Sequence, residues 1–391
     1  MNILYWLENF PKLSETFVTN EIREFRRRGH TVAVYSQHSP DPIPDDLSDL
    51  DHYTAPDPFD IPPVEAVMKT RWWSLLHGSF LSDPLPSLNP LRQLYTLFHV
   101  EHGSKFINSL PYNIDHVHGH LMFTPQISAN YISRNINVPH SVWGHANDLY
   151  AFDHEPTHRY LLENCDLVLA PCEYNRHIIQ SLVSPAEAPN VDVVPAGFNT
   201  AFEPTDGYVQ GRILSVSRHV EKKGIKYGLD AISKLPDSFD IDYHIASDGP
   251  LTEDLKEYAA SLDITDQVSF LGRVSIQRLE REFDEAQLFL LPAVIARNGD
   301  RDAAPVAIKE AMSMKTPIVS TVVGGIPELV NEQTGYLVKP RNVPELSEAL
   351  EIGLCTSSSK KGRAAYEEVQ SHRIEKTVDQ LEEKFEDLAS A

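Results

Sequence analysis

Short apolar runs that empty into a glycine or polar turn, each followed by a helix-like segment, recur along nearly the whole chain, and this rhythm limits the fold more than any other feature. The first instance is at the start. Asn2 to Tyr5 is a strand, Ser14 stands where a helix N-cap would be, and Phe17, Ile22 and Phe25 fall at helical spacing up to Arg28. Gly29 closes that helix and Thr31 to Tyr35 is the next strand. Strand–helix–strand at this spacing is a βαβ unit and calls for a parallel sheet. The rhythm restarts at Arg212 after a stretch without periodicity, so 391 residues divide into two α/β domains, each large enough to bury a core. The expected layout is a first domain over 1–200, a linker over 201–211, a second domain over 212–370 and a terminal helix over 371–391. That last segment is amphipathic, with Val378, Leu381, Phe385 and Leu388 on one face.

Several function classes are disfavoured. A Rossmann domain gripping a dinucleotide would follow its first strand with G-x-G-x-x-G, but the turn here runs Phe10-Pro11-Lys12-Leu13-Ser14-Glu15-Thr16-Phe17. A net charge of −22 opposes a nucleic-acid binder and implies a solvated acidic surface, as in a soluble protein or one from a salt-adapted host. Three cysteines give neither a disulfide framework nor a metal-binding spacing, which fits a reducing cytosol. The N-terminus lacks the pattern of a signal peptide, and no apolar run approaches the ~20 residues of a membrane span. Arg26-Arg27-Arg28 reads as a solvated helix end, and Trp72-Trp73 beside Lys69 and Arg71 reads as helix packing rather than a membrane-facing pair.

The stretch 298–328 carries the clearest chemistry. Asp302, Ala303, Ala304 and Pro305 lead into a helix from Val306 to Met314, followed by a strand over Ile318–Val322 and the turn Gly324-Gly325-Ile326-Pro327-Glu328. Small residues and a proline at a helix start leave backbone N–H groups facing outward, which with the helix dipole make a site for a diphosphate. Asp302 and Glu310 flank it, roughly 12 Å apart at about 1.5 Å per helical residue. Arg218 and Lys223, on the loop after the second domain's first strand, are placed to neutralise the same anion. In the first domain, Ile114 to His120 is a strand running out into His118-Gly119-His120, and His140 to Trp143 is one ending in Gly144-His145-Ala146-Asn147-Asp148, where open α/β sheets bind ligands. A metal is not expected there, because no carboxylate or cysteine joins the histidines at ligand spacing. Asp240-Ile241-Asp242 is read as surface.

Taken in order, these residues resemble the retaining GT-B glycosyltransferases of the "group 1" (family 4-like) class across nearly the whole chain. The resemblance rests on Ser217-Arg218, Glu221-Lys222-Lys223-Gly224, Asp248-Gly249-Pro250-Leu251 and Phe270-Leu271-Gly272-Arg273, then Pro305, Glu310-Ala311-Met312 and Gly324 to Glu328. In the first domain, Phe10 to Phe17, Asn20-Glu21-Ile22 and the two histidine-bearing strand ends resemble a subgroup acting in cell-surface polysaccharide assembly.

The resemblance implies two Rossmann-like domains facing across a cleft, with the last helix returning to the first domain. It implies sugar transfer from a nucleotide-diphosphate sugar to a glycan or polyprenyl-lipid-linked acceptor, with retention and without a metal or other cofactor. Arg218, Lys223, His145 and Asp302 would be catalytic. Glu310, Ala303, Ala304, Pro305, Val306, Gly249 and Arg273 would bind the donor. Ser14, Glu15, Thr16, His118, His120 and Asp148 would lie on the acceptor side. The family's Glu-x7-Glu pair maps to Asp302 and Glu310, the first touching the sugar and the second the ribose, so Asp302 is a departure by one methylene. Ser247 is another, standing where glycine is usual. The enzyme would be cytoplasmic, peripheral at the inner face of the membrane. A nucleotide-sugar epimerase or hydrolase and a non-catalytic nucleotide-sugar-binding protein are the alternatives.

Overall fold

In the computed structural model, residues 1–12, 15–57, 90–150, 155–183, 190–199, 202–205, 207–356 and 359–390 are described. Ser14 and the stretch holding Trp72 and Trp73 lie outside them.

Two parallel sheets form, one for each half of the rhythm. The first comprises β1 (Asn2–Asn9), β2 (Thr31–His38), β3 (Asp51–Thr54), β4 (His116–His120), β5 (His140–Trp143), β6 (Leu167–Ala170) and β7 (Val191–Val193). Its spatial order is β3-β2-β1-β4-β5-β6-β7, parallel throughout. The second comprises β8 (Arg212–Val216), β9 (Asp242–Ala246), β10 (Val268–Gly272), β11 (Leu288–Leu291), β12 (Ile318–Thr321) and β13 (Gly335–Val338), in the order β10-β9-β8-β11-β12-β13. Its ladders are parallel too. Each sheet therefore reverses strand order once, between β1 and β4 in the first and between β8 and β11 in the second.

Helices cover both faces, and this explains the apolar strands. Along β11, Leu288 and Leu290 join the core containing Ile213, Tyr243 and Leu350, while Phe289 and Leu291 join the one containing Leu214, Ile308 and Met312. Alternate side chains point to opposite faces, so a strand buried on both must be apolar at every position.

The chain separates into two compact units. The first holds 1–171, 175–194 and 374–391, and the second holds 172–174 and 195–373. Three helices matter below: α1 (Thr16–Arg27), α2 (Val306–Ser313) and α3 (Ile374–Ser390). The terminal helix α3 belongs to the first unit, where it packs on α1. Of its expected apolar face, Val378, Leu381 and Phe385 are fully buried and Leu388 is half-buried. The Phe385 ring lies 6.0 Å from that of Phe25 and stacks at 3.9 Å on that of His116.

The arginine run departs from its solvated reading. Arg27 is exposed and bonds Glu24, but Arg26 pairs with Asp49 at 2.7 Å. Arg28 is largely buried, with bonds to Glu24 at 2.8 Å, to Asp379 at 2.9 Å and to Glu382. It ties α1 to α3, a partnership that sequence separation conceals. Strand β3 also lies in a region read as loop, because Asp51-His52-Tyr53-Thr54 is a half-exposed edge strand without apolar alternation.

Phe385→Ala removes a fully buried ring from the α1–α3 contact. It is expected to destabilise the first unit by about 3–5 kcal/mol, read as a lower urea midpoint.

Candidate functional site

The second unit carries a charged cluster where its strand order reverses. Ligands in open α/β sheets sit beyond the carboxyl ends of the strands at such a point. After β8 the chain makes a short 3-10 turn, Glu221–Lys223, that ends at Gly224 with φ +64°. A Cβ at Gly224 would fall 1.9 Å from the carbonyl oxygen of Pro292, so only glycine lets this turn lie against the segment leaving β11. The close approach brings the lysines onto the carboxylates beyond β11. Lys223 Nζ is 2.7 Å from Asp302, and Lys222 Nζ is 3.0 Å from Asp300 and 3.6 Å from Asp302.

Asp302 is buried, which by itself would raise its pKa, yet the two lysines outweigh burial and hold it below the usual carboxylate range. Burial pulls Lys223 below the ordinary lysine value, with Asp302 opposing. Arg218 is exposed at the same edge, and no ion pair of its side chain is found among the described residues. Lys222 was legible only as part of a motif, since nothing in Lys222-Lys223 says that both point inward.

Pro305 precedes α2, and no side chain caps the helix. The amides of Ala303, Ala304 and Val306 make no hydrogen bond among the described residues, so the donors of this helix start are open. Gly324, at φ +56°, and Gly325 pack on the back of that segment. Added Cβ atoms would meet the Asp302 oxygen at 1.9 Å and the Ala303 oxygen at 2.6 Å respectively. Close packing is thus the visible role of this turn.

Glu310 projects from α2, partly buried and without an ion pair or side-chain hydrogen bond among the described residues. Burial pushes its carboxyl up to about 7. The neighbouring Lys309 is wholly enclosed, donates to the carbonyl of Ala196 at 2.6 Å and is brought down to about 7, again by burial. Sequence reasoning did not single it out.

Gly249 follows β9, where a Cβ would meet the backbone of His219 at 2.7 Å. Ser247 adopts φ +94°, a left-handed conformation that favours glycine, while its amide donates to Gly272 O at 2.7 Å. Arg273 is exposed and pairs with Asp248 at 3.0 Å.

The first unit has a second cluster at its own reversal point, beside β1 and β4. Here Glu21 of α1 is central. Its Oε1 accepts from Tyr5 Oη at 2.6 Å and from His120 Nε2 at 3.3 Å, with His118 Nε2 at 3.4 Å. Burial alone would raise Glu21, but the attraction of His120 and His118 wins and holds it far below the carboxylate range. His120 Nδ1 meets His145 Nε2 at 3.0 Å, and Ser141 Oγ lies 2.7 Å from both His118 Nδ1 and His116 Nε2. Asp148 accepts from the amides of Met122 at 2.8 Å and His145 at 3.1 Å, and burial pushes it up to about 6.

This geometry amends two expectations. His118 and His120 are enclosed, at 0% and 2% exposure, while His145 is at 8%. A carboxylate does join the histidines, because the fold brings Glu21 to them across a long sequence gap. One ligand atom from each of Glu21, His118 and His120 lies within 4.8 Å of the others, a donor set of the kind that holds a divalent cation. Hydrogen bonds from Tyr5 and His120 already occupy Oε1. Of the other acceptor-side residues, Glu15 pairs with Lys12 at 2.5 Å, and Thr16 is exposed at the start of α1.

Comparison with known proteins identifies the family. Residues 14–202 match the "Glycosyltransferase Family 4" model and residues 210–354 the "Glycosyl transferases group 1" model. The amylovoran biosynthesis glycosyltransferase AmsK of Erwinia amylovora is 26% identical over 87% of each chain. Among solved structures, sucrose-phosphate synthase from Thermosynechococcus elongatus superposes with a TM-score of 0.74 at 17% identity, over 100% of this chain and 99% of that one. Anabaena Alr3699/HepE in complex with UDP gives 0.72 at 16% identity, over 99% and 100%. Two adjoining family matches that together take in nearly every residue named above, on two parallel Rossmann-like sheets, make this chain a GT-B glycosyltransferase of group 1, family 4, a retaining class.

Proposed function

We propose that this chain transfers a sugar from a nucleoside-diphosphate sugar to a glycan or polyprenyl-lipid-linked acceptor in polysaccharide assembly, with retention and without a metal. The observation that carries the reading is the convergence of Arg218, Lys223 and the open amides at the start of α2 on the β8–β11 switch point. Fixed positive charge at that spot is worth most where charge develops, on the departing nucleoside diphosphate. Arg218 and Lys223 supply that charge, and the amides of Ala303, Ala304 and Val306 add donors. These groups do the work of a metal. The similar HepE structure contains UDP, and AmsK is named for amylovoran biosynthesis, which supports the donor and pathway classes.

Glu310, without an ion pair among the described residues and pushed up to about 7 by burial, suits hydrogen bonding to the ribose hydroxyls. Asp302 takes a different part. With Lys223 at 2.7 Å and Lys222 at 3.6 Å, it sets the lysines in place, and the sugar meets a carboxylate already in use. This is where donor choice would diverge from members with a longer glutamate. On the acceptor side, His145 orients the sugar, and the leaving phosphate assists deprotonation of the acceptor hydroxyl on the same face. The enzyme acts on the cytoplasmic side of a membrane. No helix among the described residues is long and apolar enough to cross one.

UDP-, GDP- and ADP-sugars tested in turn by thermal shift identify the donor, because a ligand of the folded state alone raises the midpoint. With that donor, Lys223→Ala is expected to lower the transfer rate on the order of 10²–10³-fold. Near-normal turnover by this variant would sink the assignment.

Glu310→Gln is expected to weaken nucleotide binding by calorimetry and to change the pH dependence of stability. The folded pKa of about 7 lies above the ordinary 4.5, so the folded chain binds the extra proton between them. The associated stability is full below 4.5 and lost as pH rises through 7. The variant has no such loss, so its melting temperature relative to the native protein should rise from pH 4 to pH 8. An unchanged difference would show that Glu310 is not held in a desolvated site.

A further inference from the structure

We propose that Glu21 is a positioning residue for His145, acting through His120 to fix the His145 ring with its proton on Nε2 and its lone pair on Nδ1. The proposal rests on the role given above to His145.

The argument is a count of protons. Glu21 is the acceptor at one end, since its Oε1 takes the Tyr5 hydroxyl proton at 2.6 Å and is 3.3 Å from His120 Nε2. Nε2 of His120 must then carry a proton. With a single proton on the His120 ring, as the proposal requires, the other nitrogen is an acceptor, so His120 Nδ1 takes a hydrogen bond. The atom 3.0 Å from it is His145 Nε2, which must be the donor. His145 is left with Nδ1 as its acceptor. A carboxylate one ring away thus decides which face of His145 is basic.

The ring has little other freedom. Its backbone amide is held by Asp148 at 3.1 Å and its carbonyl by Asn175 Nδ2. Phe17 lies 4.5 Å from the His145 ring centroid and Trp143 5.4 Å on a near-parallel plane. These contacts hold the backbone and the ring plane, and Glu21 acts on the tautomer through His120. A proton arriving at Nδ1 would leave His145 cationic, with the negative Glu21 one imidazole away in a buried surrounding.

A bound metal makes the opposite prediction. Ligation through Nε2 of His118 and His120 would strip both atoms of protons, and His120 Nδ1 would donate to His145 Nε2. His145 would then carry its proton on Nδ1. His118 Nε2 lies 3.4 Å from Glu21 Oε1 and makes no hydrogen bond among the described residues, so this competing arrangement has a real foothold.

The test is a long-range 1H–15N correlation spectrum of the full chain labelled at its seventeen histidines, with His145 assigned by loss of its signals in His145→Ala. The native protein should show His145 protonated on Nε2 and bare on Nδ1. In Glu21→Gln the amide can offer its NH2 to His120, and the His145 tautomer should change or become mixed. Three results overturn the proposal: native His145 protonated on Nδ1, identical His145 signals in folded Glu21→Gln, or a stoichiometric divalent metal whose removal shifts His118 and His120.

Kinetics give a second arm, reading nucleoside diphosphate release from UDP-glucose and GDP-mannose. Glu21→Gln should lower kcat by at least about tenfold, part of what a positioned proton-handling group contributes, with donor KM unchanged. The same substitution in a His145→Ala background should cost nothing further. Equal losses in both backgrounds overturn the relay. A fully active His145→Ala overturns the role of His145 instead and leaves the tautomer to the spectrum.

Discussion

A parallel sheet whose strand order reverses once leaves a crevice at the reversal, because the connections on its two sides run off in opposite directions. Everything chemical in this protein depends on that constraint, met twice. In the second sheet the crevice lies between β8 and β11, and the loops leaving those strands deliver Lys222, Lys223, Asp300 and Asp302 to one place. In the first it lies between β1 and β4, and Tyr5, Glu21, His118 and His120 gather around it. Glycine enforces the approach in the second case, since a side chain at Gly224 would push the lysine turn away from Pro292.

The two carboxylates of the second unit show how environment divides labour between similar groups. Asp302 is enclosed with lysines and kept ionised, whereas Glu310 is desolvated without a side-chain partner among the described residues and pushed up to about 7. A buried ion pair is weak evidence for stability, since removing both charges from water costs much of what their attraction returns. Its use here is placement. Lys223 is held at 2.7 Å from Asp302 and so has lost its rotamer freedom before any anion arrives. On the proposed reading, an incoming diphosphate then meets a cation already in position.

Periodicity made the strands legible, and motif order made Arg218, Lys223, Asp302 and Glu310 legible. What stayed hidden required three dimensions. Glu21 was one glutamate on an amphipathic helix, and only the β1–β4 pairing and the seating of α1 reveal its histidine partners. Lys222 and Lys309 carry charges that single-sequence reasoning assigns to solvent, yet both are buried with specific partners. Arg28 looked like a helix terminus facing water until α3 supplied Asp379 and Glu382. Strand β3 gave no alternation to read, because an edge strand with two part-exposed faces has no need of it.

The histidine row shows why polar residues on a central strand need not face a ligand. His116, His118 and His120 alternate along β4 and so share one face of the sheet. In a parallel sheet covered on both sides that face is buried beneath helices. Phe385 of α3 lies over His116 at 3.9 Å and His118 at 5.3 Å, and Glu21 of α1 covers His118 and His120. The row is roofed by the last helix at one end and by an ionised side chain at the other. Only its continuation through His120 to His145 approaches the surface, at 8% exposure. The fold therefore uses a terminal helix, far in sequence from the motifs of the second unit, to keep water from a histidine chain whose outer member is the group proposed to meet the substrate.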